Sequence, residues 1–425
     1  MKKIAINKLA LSVAISLVGI SSQAFAADFN IPFINGAGLG NLYAGWAAEG
    51  ADASTAFTNP AALVLIPTQQ FEFGGVGVLG HTEFTGTTTP PFPPSPPQTG
   101  TAGSELRGLI PSTYYALPLL DNRIVLGFGE TIPFGLGNNY GTTSLVRYAA
   151  TKSQISDIDI GPSVGVKITD KLSAGVGLDI QRLSFSINNQ LGFPPFVPDS
   201  LSQNNLSDWG TGWHGGLLYQ FTPATRVGVD YNSQTVFHLT GTSQLSGPII
   251  PGNGIVNSNL NANVTLPALA QVSIYHDINQ QWNVMATVFY SNWSSFKQVT
   301  LNNIQVPGGT AISNTVPFNY HNTFDYAGGI NYKPTCNWTL RAGAEYLASA
   351  TGSQYRIIAD PVGAGTILSV GAHYQQNKNI GYDLGYAHAF FIDTAYNNTS
   401  GFGSVIGKSS QQNNVIGAQL TWSIT

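Results

Sequence analysis

The sequence predicts an all-β fold: a transmembrane antiparallel β-barrel of about fourteen strands with a small N-terminal hatch, or plug, inside its lumen. Three observations predict it. An export leader is followed by no apolar run long enough for a spanning helix. From about residue 68 the apolar positions recur with a period of two almost to the end of the chain. The composition also fits one face in lipid and one face in a polar lumen. Charged residues are 9 %, against roughly 25 % in soluble domains, while aromatics reach 11 %, glycines number 48 and mean hydropathy is +0.05.

Residues 1–26 read as a secretory signal peptide. Lys2, Lys3 and Lys8 form the basic region, Leu9 to Ile20 the apolar region, and Ala24-Phe25-Ala26 the cleavage site. Loss of this leader, which carries three lysines and no acid, takes the formal charge from −4 to −7. Nothing in that balance suggests nucleic acid. The lone Cys336 excludes an internal disulfide and a cysteine metal cluster, and the seven histidines lack metal-ligand spacing. Neither a metal nor another cofactor is expected.

Residues 27–67 form the expected hatch. Gly38-Leu39-Gly40-Asn41-Leu42-Tyr43-Ala44-Gly45, Asp52-Ala53-Ser54 and Asn59-Pro60-Ala61-Ala62-Leu63 are too rich in small and apolar residues for a solvated linker. Only short helices fit between the glycines, and Asn59-Pro60 ends any helix before it.

Residues 68–425 form the expected barrel. Strands are predicted near 69–84, 108–118, 122–134, 153–168, 171–187, 208–221, 225–241, 267–278, 281–301, 322–333, 337–348, 365–375, 379–392 and 413–424. Short connections such as Asp121-Asn122 and Thr169-Asp170 alternate with long ones, Thr85–Arg107 and Asn188–Ser207 among them, as in an outer-membrane barrel. The proline run from Pro90 to Pro97 reads as a stiff loop tip. Trp338, Leu340 and Tyr346 share a face opposite Arg341, Gly343 and Glu345, while Tyr382, Leu384 and Tyr386 oppose Asp383 and Gly385. Aromatics near strand ends, such as Trp209, Tyr219, Trp282 and Trp338, suit interfacial girdles.

Two features of the wall bear on function. Parity turns Met285, Phe289 and Trp293 inward, together with Leu183, Phe185 and Ile187. Such apolar lumen residues either line a pocket for a greasy ligand or pack against the plug. The third strand carries Gly127, Gly129 and Pro133, with Glu130 on its apolar face. A strand so weakened is either a side door toward lipid or a simple bulge. His214, His238 and His373 are placed toward the lumen as hydrogen-bonded histidines. Gly161-Pro162-Ser163-Val164-Gly165 matches a serine-hydrolase pattern but sits within a strand. Gly75, Gly77 and Gly80 match a dinucleotide fingerprint without its helix.

The hatch stretch resembles the FadL family of outer-membrane transporters, with Asn59-Pro60-Ala61 as its most specific element. The likeness continues through Pro133-Phe134-Gly135-Leu136, Trp213-His214-Gly215-Gly216, Leu340-Arg341-Ala342-Gly343-Ala344-Glu345-Tyr346 and Gly381-Tyr382-Asp383-Leu384-Gly385-Tyr386. It covers nearly the whole mature chain. It implies a non-enzymatic, hatch-gated barrel in the outer membrane of a Gram-negative bacterium. That barrel passes long-chain fatty acids or other hydrophobic molecules and releases them sideways into outer-membrane lipid at a kinked third strand; with no energy source visible in the sequence, passage is expected to be by passive diffusion. Asn59, Pro60 and Ala61 then belong to the hatch, and Gly127, Gly129 and Pro133 to the kink. The family's pocket-lining basic residues have no clear counterpart, which leaves Arg182 and Arg341 as candidate partners for a carboxylate; for Arg341 the stronger reading is a lumen ion pair with Glu345 or another acid on a neighbouring strand. Gly417-x-x-Leu420-x-Trp422, expected to be read by the barrel-assembly machinery, lies slightly short of the terminus. Uptake of aromatic hydrocarbons, a structural or adhesin-like barrel, and a lipid hydrolase are the alternatives.

Overall fold

The computed structural model describes residues 29–90, 96–193, 197–306, 308, 311–361, 363–399 and 403–424. The expected signal peptide and the Pro91–Ser95 part of the proline run lie outside the described residues. Fourteen antiparallel strands close a single barrel. They are β1 (Gln69–Thr89), β2 (Gln98–Leu119), β3 (Ile124–Asn139), β4 (Lys152–Lys167), β5 (Leu172–Phe193) and β6 (Val197–Thr222). Next come β7 (Thr225–Asn232 and Thr235–Ser246), β8 (Ile255–Leu266 and Leu269–Asp277), β9 (Trp282–Ser291 and Gln298–Gln305) and β10 (Ala311–Pro317 and Thr323–Tyr332). The last four are β11 (Trp338–Leu347), β12 (Gly365–Gln375), β13 (Ile380–Phe391 and Thr394–Asn398) and β14 (Ser404–Ile424). Five strands are each interrupted once. The barrel closes where β14 pairs with β1 from Gln69↔Ile424 to Thr89↔Ser404, so the first and last strands have no free edge at the seam.

The period-two pattern sorts side chains as the alternation predicts. Val176, Leu178 and Ile180 of β5 are exposed on the outer wall, while Asp179 and Gln181 are buried inside. Leu384 is 63 % exposed and Asp383 only 3 %. In water such an outer wall would aggregate; in a bilayer it is the favoured surface. Paired aromatics mark the ends of the apolar band, Trp282 stacked on Tyr332 at 4.3 Å and Trp213 beside Tyr231 at 5.4 Å.

The strands outrun the expected boundaries. Most of Thr85–Arg107 and Asn188–Ser207, read as loops from their polar sequence, is paired strand: β1 and β2 stay in register to Thr88↔Gln98, and β5 and β6 to Leu191↔Ser200, with a register shift before Phe193↔Val197. Above the bilayer the outer face of a strand meets water in place of lipid and carries polar residues, so the apolar alternation fades in the sequence while the inner face stays buried and the ladder continues. Hydroxyl pairs such as Thr87 with Thr99, 2.8 Å apart, support the extension. The short connections fall at the other end. The β2–β3 turn, for example, places Leu120, Asp121 and Asn122 at φ 49, 53 and 62.

Candidate functional site

The N-terminal segment fills the lumen. Three four-residue helices, α1 (Gly36–Leu39), α2 (Trp46–Glu49) and α3 (Thr55–Thr58), are followed by a 3-10 helix at Pro60–Leu65. Each helix is too short to persist alone, so local caps and the wall hold the segment. Asn35 caps α1 by accepting from Gly38 N at 2.8 Å. The Tyr43 hydroxyl donates back to the Asn35 carbonyl at 2.7 Å. Asn59 is extended, at φ −167, as a residue before proline should be. Its Oδ1 accepts from Ala61 N at 3.0 Å, and its Nδ2 donates to Ala47 O at 2.6 Å and to Leu217 O on β6 at 3.3 Å. Pro60 opens the 3-10 helix and Ala61 is fully buried. The Asn59-Pro60-Ala61 element thus folds the segment onto itself and onto the barrel.

The wall receives this segment through glycine and polar side chains. A Cβ on Gly228 would stand 1.8 Å from Ala47 O, and one on Gly175 would stand 2.3 Å from the Pro60 carbonyl carbon. Only glycine permits that approach. Gln271 Nε2 donates to Thr58 O at 2.8 Å, Arg226 Nη2 to Glu49 O at 2.6 Å, and Ser369 Oγ to Gly40 O at 3.0 Å. The segment's own N–H groups are also used: Gly45 N donates to Thr287 Oγ1 at 2.8 Å and Ala37 N to Gln419 Oε1 at 3.0 Å. Buried backbone groups need such partners. Among the segment's acids, burial pushes the Glu49 carboxyl above its usual range, with Asp52 adding to the shift and Arg341 and Arg226 opposing it.

On the long-loop side of the plug lies a cavity of about 80 Å³. That exceeds the room one water needs. Ile31 and Ile34, Trp46 and Phe57 of the plug, and Leu269 and Phe289 of the wall give it an apolar surface. Asp159 of β4, Asp325 of β10 and Glu345 of β11 also reach it.

The cavity abuts a break in the wall. The β2–β3 ladder runs from Leu119↔Ile124 to Thr113↔Glu130 and stops, although β2 continues to Gln98 and β3 to Asn139. The β3–β4 register shifts between Thr131↔Asp159 and Phe134↔Asp157, a bulge at Ile132–Pro133. Beyond it β3 pairs with the N-terminal segment instead: Ile31 N donates to Pro133 O at 2.8 Å and Asn30 bridges to Phe134. Pro133 and Phe134 line the cavity as well.

The sequence-selected residues separate accordingly. Pro133 sits at the bulge, whereas Gly127 and Gly129 lie in the regular ladder before it, opposite Ala116 and Tyr114. A Cβ on Gly127 would meet Ala56 at 2.8 Å, so this glycine accommodates the plug. Phe289 lines the cavity. Met285 lies beneath the plug, its Sδ 3.8 Å from Asn41 Nδ2, which is the packing alternative. Trp293, 1 % exposed, anchors an aromatic cluster through Phe29 at 4.7 Å and Tyr320 at 5.6 Å. Arg341 points inward but pairs with Asp383, two strands away across Gly371, and Asp383 also holds His373 Nδ1 at 2.9 Å. Two expectations need correction. Arg182 faces outward, exposed, with its guanidinium 5.7 Å from the Trp209 ring, because β5 turns its odd-numbered residues inward. His238 is also outside and bonds Asn263 Oδ1 at 2.9 Å. Ser163 lies within continuous β4, without the strand-to-helix turn that a nucleophile elbow requires. Asp325 and the Phe29–Ile34 stretch were not foreseen at the site. Glu345, expected to face inward and offered as one partner for Arg341, lines the cavity instead, and the pair forms with Asp383.

A family model described as outer membrane protein transport protein (OMPP1/FadL/TodX) matches residues 17–423. The chain belongs to this family. Its relatives include outer membrane protein P1 of Haemophilus influenzae, 28 % identical over 91 % of this chain and 90 % of that protein. The long-chain fatty acid transport protein of Escherichia coli K12 is 24 % identical over 91 % of this chain and 92 % of that protein. Among solved structures, a Pseudomonas aeruginosa FadL homologue superposes with a TM-score of 0.82 at 24 % identity, covering 94 % of this chain and 100 % of its own. The Ralstonia pickettii toluene transporter TbuX gives 0.68 at 22 % identity, covering 92 % and 99 %. At those identities the structures speak to the fold, which they share with this outer-membrane member. The family is described by transport, not by catalysis.

Proposed function

We propose that this barrel carries hydrophobic small molecules through the outer membrane by passive diffusion. Cargo enters from the loop side, settles in the apolar cavity, and leaves sideways into lipid where β2 and β3 part. Long-chain fatty acids and aromatic hydrocarbons are the two cargo classes named for its relatives. The observation that carries the reading is that Pro133 of the bulge in β3 and Phe134 directly after it both line the cavity. A cargo molecule there has the wall opening beside it.

Energetics require a gate. Burial contributes about 0.8 kcal/mol per methylene, so a site that held an alkyl chain equally in every state would keep it. Movement of the plug and of the Phe29–Ile34 stretch, which occupies the bulge, supplies the second state.

Deletion of Pro133 tests the exit. The bulge holds one extra residue on β3, so its removal restores the β4 register and straightens the strand. Cells producing this variant as the sole transporter are expected to lose most uptake of labelled hydrophobic cargo while the folded barrel stays at normal abundance in the outer membrane. Uptake equal to wild type would remove the sideways route.

A further inference from the structure

Given the transport reading, on which this step rests, we infer that the cavity is built for hydrophobic cargo with no negative charge, and that it disfavours carboxylates. Among the described residues that line it, three are acids and none is Lys, Arg or His. Asp159 stands on β4, and Asp325 and Glu345 stand on β10 and β11, roughly opposite in a barrel of fourteen strands. A head group anywhere in the cavity therefore faces an acid.

The nearby cations are committed elsewhere. His214 spends Nδ1 on Asp179 at 2.5 Å and Nε2 on the plug carbonyl of Ala56 at 3.0 Å. Arg226 binds Ala48 O and Glu49 O beneath the plug, 3.8 Å over the Tyr275 ring. Arg341 is paired with Asp383, and Arg182 lies outside the barrel. Lys297 Nζ is held by Tyr320 O at 2.9 Å.

The acids retain acceptor capacity. Asp325 Oδ1 takes the Ala348 N–H at 2.7 Å and Asp159 Oδ2 takes Gln181 Nε2 at 3.1 Å. Glu345, 3 % exposed, has an Oε2 without a hydrogen-bond partner, and so has Gln271 Oε1 in the same lining. Surplus acceptors in an apolar chamber call for a donor. A hydroxyl or ammonium head supplies one; a carboxylate brings further acceptors and a negative charge for which the lining offers no cation, and an unpaired charge in an apolar site is heavily penalised. A neutral hydrocarbon is tolerated because it makes no demand.

The test compares hexadecanol, hexadecylamine and palmitate, which share one chain length and differ in head group. Binding to the purified barrel in detergent is measured by equilibrium dialysis at a pH where free palmitate is ionised. Hexadecanol and hexadecylamine are expected to bind at least about tenfold more tightly than palmitate, and the triple variant Asp159→Asn, Asp325→Asn, Glu345→Gln is expected to close that gap. Palmitate binding as tightly as the alcohol to the wild-type barrel would overturn the inference and leave the transport reading standing. Binding of none of the three would overturn the transport reading and the inference with it. The wild-type comparison decides the matter even if the triple variant fails to fold.

Discussion

His214 of β6 links Asp179 of β5 to the plug: its Nδ1 lies 2.5 Å from Asp179 Oδ1 while its Nε2 reaches Ala56 O at 3.0 Å. A carbonyl only accepts, so Nε2 carries a proton and donates it. His214→Ala leaves a buried carboxylate and a buried carbonyl each short of a partner. Each such loss costs about 1–3 kcal/mol, and the part borne by Ala56 falls on the docked plug alone. Since 1.4 kcal/mol is about a factor of ten in an equilibrium, ion-conducting openings in planar bilayers are expected to become about tenfold more frequent. Wild-type conductance in the variant would show that the plug is not fastened at Ala56.

Glu49 makes plug docking pH-dependent. Burial raises its pKa in the docked plug, so the docked state binds more protons than the released one, where the carboxyl meets water. Its contribution to docking is therefore complete below the ordinary carboxylate range and is lost as pH rises through the raised value. Plug openings should become more frequent on going from acid toward neutral pH. Glu49→Gln, which keeps the bond from Asn331 Nδ2 now made at 3.1 Å, should flatten that part of the profile. A slope in the variant as steep as in wild type would assign the effect to another acid.

Arg182→Ala tests the corrected placement. The guanidinium faces away from the lumen and packs over Trp209, an exposed contact worth about 0.5–1 kcal/mol. Binding of every cargo to the purified barrel should be unchanged, with at most a small loss of thermal stability. A selective change in carboxylate binding would return Arg182 to the transport path.

The assignment of Arg182 to the ligand failed through a single step of parity. One residue along a strand reverses the face, and Gln181, buried inside, fixes the phase of β5. Where lipid enforces alternation the sequence was legible: Leu384 outward with Asp383 inward, Trp338 outward with Glu345 inward. It was not legible above the bilayer, where Thr85 to Thr89 and Asn188 to Phe193 continue as paired strands with no apolar face to mark them. The site was half legible for a related reason. Met285 and Phe289 share a face of β9, yet Ala44 and Gly45 cover the first and leave the second open. That choice depends on where the plug docks, through contacts between residues hundreds of positions apart.

Gly45 shows how tight that cover is, and it yields a prediction with two arms. Its φ of 79 lies in the left-handed region, and a Cβ there would stand 2.8 Å from both Cβ and Cγ of Met285. Gly45→Ala therefore meets a backbone penalty of about 1–2 kcal/mol and an overpacking penalty of about 1–3 kcal/mol, both charged to the docked plug. Met285→Ala alone opens a void of its own, typically costing about 2–5 kcal/mol. In the double variant the clash with Cγ and the close contact with Sδ are gone and only that with the Cβ of position 285 remains, so the overpacking penalty falls while the backbone penalty stays. The two losses should thus be clearly less than additive, with a coupling of at least about 1 kcal/mol, read from protease protection of the plug. Strict additivity would mean that Gly45 and Met285 do not touch in the docked plug.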